Sequence, residues 1–248
     1  MPALKSCAPP ATDATDALVE ELRLEQYLTK IECAGDPEHF IESFLRIEDR
    51  SGRAIPFTLW PGQREALEAF HSDGQVVVLK ARQLGLSWLA LAYALWLAVF
   101  QQGSRIVILN KKDTDAKELL ARIRRMIERI ESEPSTAFLT AHLDKGREAA
   151  EQLQIGRSVI RSVVGKPDAI RGEAAALVIL DEFAFATEAG KIWRATLPAT
   201  DRLICISTGN GSSQAGGQGA EFAHQYERAD AGQSGFRSMF FPWDVHPE

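Results

Sequence analysis

The sequence predicts an α/β fold with a mainly parallel central sheet and helices on both faces. Short, almost entirely apolar runs at residues 76–79, 105–109 and 176–180 support this prediction. Runs of this length without polar alternation are typical of strands that are buried on both faces. Residues 88–100 are almost all apolar and separate the first two runs. They predict the helix that a parallel crossover requires.

The remaining elements are predicted from periodicity and turn residues. Residues 1–46 are expected to hold a mobile, Ala/Pro/Thr-rich start and a small helical subdomain, and residues 47–248 the main domain. We expect the strand at 176–180 to lie beside the strand at 76–79. The other predicted helices are residues 17–34, 37–45, 63–71, 113–131 and 221–229; the other predicted strands are a hairpin at 153–164 and the segments 203–207 and 236–241.

Composition limits the class of protein. The chain has 248 residues, of which 45% are hydrophobic and 25% charged, as in an ordinary soluble domain. Its net charge of −6 argues against a strongly basic, stand-alone nucleic-acid binder, although a local basic surface is compatible with it. The three cysteines have no metal-ligand spacing and favour a reducing compartment. No apolar run is long enough to predict a membrane span.

The segment KARQLGLS joins the first strand to the apolar helix, which is the layout of a phosphate-binding loop. It departs from the pattern G-x-x-x-x-G-K-[ST], because Lys80 stands where the first glycine belongs and Leu86 where the lysine belongs. The long Lys80 stem can bring its ammonium back over the phosphates. The alternative is an ordinary turn with solvated charges. The predicted ATP-binding loop comprises Lys80, Ala81, Arg82, Gln83, Leu84, Gly85, Leu86 and Ser87.

Two adjacent carboxylates follow the apolar run at 176–180. Burying carboxylates at a strand end is unfavourable unless they have partners or a function. Asp181 is predicted to hold Mg²⁺ beside Ser87, and Glu182 to accept a proton from an attacking water. The alternative is an acidic strand end that meets a loop by chance. With the loop, the pair predicts a P-loop NTPase of the additional-strand, catalytic-glutamate type.

Other polar residues are weaker candidates. The amide of Gln63 offers both a donor and an acceptor to an adenine edge, but a helix N-terminal residue is an equally simple interpretation. Phe57 and Trp60 are better explained as core residues than as adenine-stacking rings. The predicted helix at 113–131 carries arginines on one face, for which a solvated face is favoured over a DNA contact. These arginines are Arg122, Arg124, Arg125 and Arg129.

Taken together, the segments IPFTLWPGQ, KARQLGLS, ALVILDEFAF and STGN resemble the ATPase domain of the large terminase subunit of tailed bacteriophages. The resemblance runs from about residue 47 to the end of the sequence. It implies an ATP-hydrolysing, Mg²⁺-dependent motor that moves double-stranded DNA into a procapsid. It also implies self-association into a ring on the procapsid portal, a small terminase subunit as partner, no membrane, and a location in the host cytoplasm.

The resemblance also implies roles for individual residues. Gln63 corresponds to the adenine reader, Lys80 to a displaced P-loop lysine, and Arg82 to the arginine of the loop. Asp181 and Glu182 correspond to the metal-binding and catalytic carboxylates. Arg171, an exposed loop arginine in the bland interpretation, corresponds to an arginine that reaches the site of a neighbouring subunit. The segment that couples hydrolysis to movement corresponds to Ser207, Thr208, Gly209 and Asn210.

One departure from the family is expected to matter. A complete large terminase continues into a nuclease domain of the ribonuclease H type, for which this sequence has no candidate segment, so we expect no nuclease activity. Two rival functions remain at this stage: a helicase-like nucleic-acid translocase, and a nucleotide-binding assembly module that does not hydrolyse. Phosphate release, and its loss in Glu182→Gln, would separate hydrolysis from binding alone.

Overall fold

The structure is a computed structural model that describes residues 11–141, 143–144, 149–214 and 216–245, with the side chains of 11–14 outside the description. Residues 1–10, part of the predicted mobile start, lie outside it. The strands are β1 (Arg46–Glu48), β2 (Ala54–Pro56), β3 (Gln75–Lys80), β4 (Arg105–Asn110), β5 (Gln152–Ile155), β6 (Ser158–Val164), β7 (Leu177–Asp181), β8 (Leu203–Ser207) and β9 (Arg237–Phe241).

Seven of these strands form the central sheet, in the order β5-β6-β4-β7-β8-β3-β9. Every neighbouring pair is parallel except β5 and β6, which form the predicted hairpin. Strands β1 and β2 make a separate antiparallel pair. The mainly parallel α/β sheet predicted from the sequence is therefore confirmed.

The helices cover both faces of the sheet. They are α1 (Ala11–Gly35), α2 (Pro37–Phe44), α3 (Pro61–Ser72), α4 (Leu86–Phe100), α5 (Asp113–Ser132), α6 (Ala189–Thr196) and α7 (Ala220–Asp230). Alternate residues of β3 point to opposite faces, so Val76 and Val78 pack with α2 to α5 while Val77 packs with α6 and α7. Helix α4 lies at the centre of the first layer, with almost its whole surface buried. Among the described helices, none combines the length and the apolarity needed to cross a membrane.

One expectation about strand order is wrong. The acidic strand β7 does not lie beside β3, because β8 is inserted between them and pairs with both in parallel. In register, Ile206 lies opposite Asp181, and Ser207 lies opposite Leu79. The inserted strand agrees with the additional-strand type of fold, and it brings a third strand end to the edge where the motifs meet.

The N-terminal helices begin and pack differently from the sequence prediction. Helix α1 starts at Ala11 rather than at residue 17. Helix α2 begins after Asp36, whose carboxylate accepts hydrogen bonds from the backbone N–H groups of Glu38 and His39. Phe40 and Ile41 of α2 are fully buried in the same hydrophobic cluster as α4. The proposed division of the chain at residue 46 stays a prediction.

The arginine face of α5 is not the freely solvated surface that was expected. Arg125 and Arg129 both form ion pairs with Glu48, at 3.0 and 2.9 Å, and Arg125 also pairs with Glu118. Arg124 donates to two main-chain carbonyls, one of them that of Gln152 at 3.3 Å. These side chains therefore fasten α5 to neighbouring segments, which speaks against their serving as an open DNA contact.

Candidate nucleotide-binding site

The segment between β3 and α4 has the backbone of an anion-binding loop. Gly85, directly before α4, has a φ of 70°, a left-handed conformation that favours glycine. Gln83 also has a positive φ, at 66°. Among the described residues, no protein acceptor is bound by the backbone N–H groups of residues 83–87. These N–H groups lie at the positive end of a helix and are available to an anion.

Lys80 reaches across the end of β8 to the acidic strand. Its Nζ donates to Glu182 Oε1 at 3.1 Å. The side chains of Lys80 and Glu182 are 6% and 24% exposed, so the pair is largely withdrawn from water. A buried lysine needs such a partner, and the contact fixes its ammonium beside the loop. The position expected for the displaced lysine agrees with this geometry.

Asp181 lies at the tip of β7 and is almost completely buried. Its Oδ1 accepts a hydrogen bond from Ser87 Oγ at 2.9 Å, which joins the first turn of α4 to the acidic strand. Loss of hydration raises the pKa of Asp181, whereas the Ser87 hydrogen bond acts in the opposite direction. The structure thus brings Ser87 and Asp181 together as the sequence predicted.

Asn110 is a site residue that the sequence analysis missed. Its Nδ2 donates to Asp181 Oδ2 at 3.2 Å. Its Oδ1 accepts from the Lys111 backbone N–H at 2.6 Å, which determines the orientation of the amide. The available signal was its place as the first polar residue after the apolar run IVIL, on a strand whose carboxyl end lies at the same edge. Asn110 therefore orients Asp181 from the side opposite to Ser87.

The second oxygen of Glu182 contacts the segment after β8. Thr208 Oγ1 donates to Glu182 Oε2 at 3.2 Å. Ser207 Oγ accepts from the backbone N–H of Ala184 at 3.0 Å, and Asn210 Nδ2 donates to the Ala184 carbonyl at 3.0 Å. The predicted coupling segment thus encloses the turn that follows Glu182.

The backbone of Glu182 is itself unusual. Its φ and ψ are 52° and 40°, a left-handed conformation that costs roughly 1 kcal/mol or more in a residue other than glycine. The contacts of both carboxylate oxygens and of the following turn hold it there. This strain aims the side chain at the loop instead of along the strand.

Gln63 lies under the loop in this structure. Its Nε2 donates to the Leu84 carbonyl at 3.2 Å, and its Oε1 accepts from the Trp60 backbone N–H at 3.4 Å. A Cβ added at Gly85 would lie 2.6 Å from Gln63 Nε2, so the amide and the loop are in close contact. Phe57 and Trp60 are buried, as expected for core residues.

Two predicted site residues are not brought to the centre. Arg82 is exposed on the loop, and within the described residues it has no ion pair. Arg171 is 65% exposed and pairs with Asp168 at 2.9 Å, without touching Lys80 or Glu182 of its own chain. Of the predicted catalytic residues, only Lys80 and Glu182 therefore meet within one chain.

The residues present fit a nucleotide-associated Mg²⁺. Ser87 Oγ and the buried Asp181 carboxylate are oxygen ligands at the start of α4, beside unpaired backbone N–H groups. No group of three or more His, Cys, Asp or Glu residues in the described part of the chain suits a metal ion. Mg²⁺ typically combines one or two protein oxygens with substrate phosphates and water, which is what this donor set offers.

Solved structures of phage proteins share this fold. The large terminase of bacteriophage HK97 superposes with a TM-score of 0.62 at 16% identity, over 84% of this chain and 43% of that one. The large terminase ATPase domain of Thermus phage P74-26 gives a TM-score of 0.54 at 19% identity, over 76% of this chain and 83% of that one. A large terminase of a thermophilic bacteriophage, in complex with ATP-γ-S, gives 0.53 at 12% identity, over 77% and 46%.

At these identities the structural likenesses establish the fold, and the chain spans less than half the length of the HK97 protein. The family itself is established by sequence. The profile described as "Terminase large subunit, T4likevirus-type, N-terminal" matches residues 77–206, which is just over half of the chain and includes β3, the loop and the acidic strand. The chain therefore belongs to the terminase large subunit family.

Proposed function

We propose that this chain is the ATPase part of a DNA-packaging motor, which hydrolyses ATP to drive double-stranded DNA into a procapsid. The observation that carries the proposal is the meeting of Lys80, Glu182 and Thr208 beside the start of α4, where backbone N–H groups await an anion. Related large terminases have been solved with ADP and with ATP-γ-S, which supports the choice of nucleotide.

The loop binds the triphosphate through its backbone N–H groups and the dipole of α4. Lys80 leaves Glu182 and donates to the phosphates, since a phosphate oxygen offers it a stronger, doubly charged partner. Gln63 is proposed to read the adenine edge after giving up its contact with Leu84. Ser87 and Asp181 would hold Mg²⁺, which supplies positive charge against the phosphate oxygens.

Glu182 acts as the general base once Lys80 has moved to the nucleotide. The carboxylate is held by Thr208 Oγ1 and by the strained backbone, so it keeps its direction when the ion pair opens. It accepts a proton from the attacking water, whose alignment with the γ-phosphate is set by the same carboxylate. Binding therefore releases the base at the moment when the substrate is in place.

Arg171 is proposed to complete the site of a neighbouring subunit. Its exposure and its separation from Lys80 and Glu182 of its own chain support a role in trans. An arginine supplied in trans stabilises the charge of the transition state and raises turnover by about 10³–10⁵-fold. Mixing Arg171→Ala with Glu182→Ala chains tests this, because some interfaces then regain both groups and part of the activity. A mixture as inactive as either variant alone would refute the role in trans.

The partners follow from the same proposal. We propose a ring on the procapsid portal, double-stranded DNA as the moved substrate, and a small terminase subunit that supplies the DNA, all in the host cytoplasm. The net charge of −6 and the internally paired α5 arginines place the DNA contact elsewhere than on α5. The test of the activity is phosphate release from ATP by concentrated protein with Mg²⁺. No release above that of Glu182→Gln would overturn the proposal.

A further inference from the structure

A second concave site lies apart from the nucleotide loop. A cavity of about 230 Å³ is lined by Arg171, Lys191, Arg194 and Ala195, and we call it the basic pocket. Every charged side chain in its lining is a cation, and no residue of the nucleotide loop contributes to it. Nothing in the single-chain chemistry described above uses Lys191 or Arg194.

The cations of the basic pocket are available for exchange. Arg171 pairs with Asp168 at 2.9 Å and Lys191 with Glu188 at 2.6 Å, but all four side chains are between 45% and 86% exposed. Exposed pairs of this kind contribute only a few tenths of a kcal/mol, so a phosphate can replace the carboxylates easily. Arg194 forms no ion pair with any residue that the structure describes.

The basic pocket has a rigid base. Ile170 precedes Arg171 and is fully buried, and Ile192 and Trp193 of α6 are buried in the same hydrophobic cluster. Arg171 and the α6 cations are therefore carried on backbone segments that pack against one core. Such support fixes the spacing between charges, which a flexible basic surface would not do.

The size and charge of the basic pocket fit a compact polyanion. Two guanidinium groups can bind phosphate oxygens bidentately, and a lysine adds a third charge. The chain's own nucleotide is an unsuitable source. The crossover with Arg171 leaves β6, which is four strands from β3, or about 19 Å at the usual spacing of about 4.8 Å.

We infer that the basic pocket binds the polyphosphate of a nucleotide held by a neighbouring copy of this chain, with Lys191 and Arg194 acting beside Arg171. This inference rests on the proposed function, because it requires nucleotide in the neighbouring loop. It assigns the interface a three-cation site instead of a single arginine. The two α6 cations position the phosphates for Arg171 and increase the affinity between nucleotide-loaded neighbours.

Binding is tested with inorganic tripolyphosphate at low ionic strength, with the nucleotide loop filled by a non-hydrolysable ATP analogue. Backbone amide NMR shifts should map to residues 168–172 and 189–196. In Lys191→Ala/Arg194→Ala, the Kd from these shifts should rise at least about tenfold, the loss expected from two charge-assisted contacts. Shifts confined to the loop, or an unchanged Kd in the variant, would overturn the inference.

The matched control removes two cations from the opposite edge of the sheet. Arg105 and Arg157 are exposed at the amino ends of β4 and β6, so Arg105→Ala/Arg157→Ala changes the net charge equally. Its Kd for tripolyphosphate should equal that of the unchanged chain, and an equal loss in both variants would mean nonspecific attraction. A short DNA duplex is the second probe: if it alone shifts residues 189–196, the basic pocket binds DNA and the inference is wrong.

Turnover provides the second measurement. Mixing Lys191→Ala/Arg194→Ala, whose nucleotide site is intact, with Glu182→Ala, whose basic pocket is intact, should give several-fold more phosphate release than the sum of the two alone. No gain on mixing, where the unchanged chain is active, contradicts the inference. If the unchanged chain releases no phosphate, the proposed function fails, and the tripolyphosphate shifts then decide for or against the basic pocket by themselves.

Discussion

The edge of the sheet at Lys80 and the outer face of α5 both join cations to carboxylates, but they differ in burial and in number. At the edge, one lysine that is 6% exposed meets one glutamate that is 24% exposed. On α5, Arg125 and Arg129 share Glu48, and the exposed fractions of these three side chains lie between 20% and 30%. The first region has few charges and little water; the second has several charges and partial solvation.

The difference shows that the number of charges says little about what they do. A largely buried pair is expensive to break from one side, and it keeps its geometry only while both partners remain. A half-exposed network distributes its charges over several partners and can lose one of them at small cost. We therefore expect function and stability to depend steeply on the edge of the sheet and weakly on α5.

The largest effect is expected for Glu182→Gln. Removing the base should reduce phosphate release by about 10²–10⁴-fold, while ATP binding, measured with a fluorescent analogue, stays within a few-fold. Glu48→Gln is the counterpart on α5 and should leave turnover unchanged. Equal losses in the two variants would erase the distinction between the regions.

Lys80→Ala should follow, through stability. It leaves Glu182 without its cation, and we expect a loss of about 2–3 kcal/mol, the lower part of the range for one-sided removal because Glu182 retains some hydration. Urea denaturation without nucleotide measures it. Adding Glu182→Gln to Lys80→Ala should recover part of the loss, and a strictly additive double variant would mean that the ion pair is not coupled.

Asp181→Asn should stabilise the metal-free chain by about 1 kcal/mol at pH 7, since it removes a buried charge while Ser87 can rotate to accept from the new amide. Burial raises the pKa of Asp181 above its ordinary value of 3.8. The folded state is therefore favoured below that value, and the wild-type chain loses stability as the pH rises through the folded pKa. Urea denaturation in a chelator should show the two chains converging toward pH 4. A gap that widens on acidification would contradict the assignment.

The smallest effect is expected for Arg129→Ala. It removes one contact with Glu48 and one with the Arg46 carbonyl, but Arg125 still holds Glu48. The expected cost is about 0.5–1 kcal/mol, with faster hydrogen exchange in β1 and β2 as the local sign. A loss as large as that of Lys80→Ala would show that the α5 network is as rigid as the edge.

Much of the fold follows from local pattern. The apolar runs, the hairpin and the amphipathic face of α5 are periodic, and periodicity reflects burial directly. The position of β8 could not be derived, because pairing order depends on which crossovers cover which face, and four apolar strands of similar length give no order. The same reason explains Asn110, whose role exists only because β4 pairs with β7.

The site was predictable where chemistry and spacing agree. Lys80, Ser87, Asp181 and Glu182 stand at strand or helix ends, so their meeting follows once the strands are parallel. The α5 arginines were misjudged because their partner, Glu48, is distant in sequence and nothing local indicates a contact. Arg171 and the basic pocket concern a second chain, which no single sequence pattern can bring into position.

The insertion of β8 has a mechanical consequence. Its main chain is paired on one side with β7 and on the other with β3, and Thr208 at its tip touches the base. A pull on the polypeptide beyond Asn210 would travel along this strand and displace Glu182 and the phosphate cradle simultaneously. Resistance from the cargo would then be felt as a slower chemical step, so that tension throttles fuel consumption without a separate sensor.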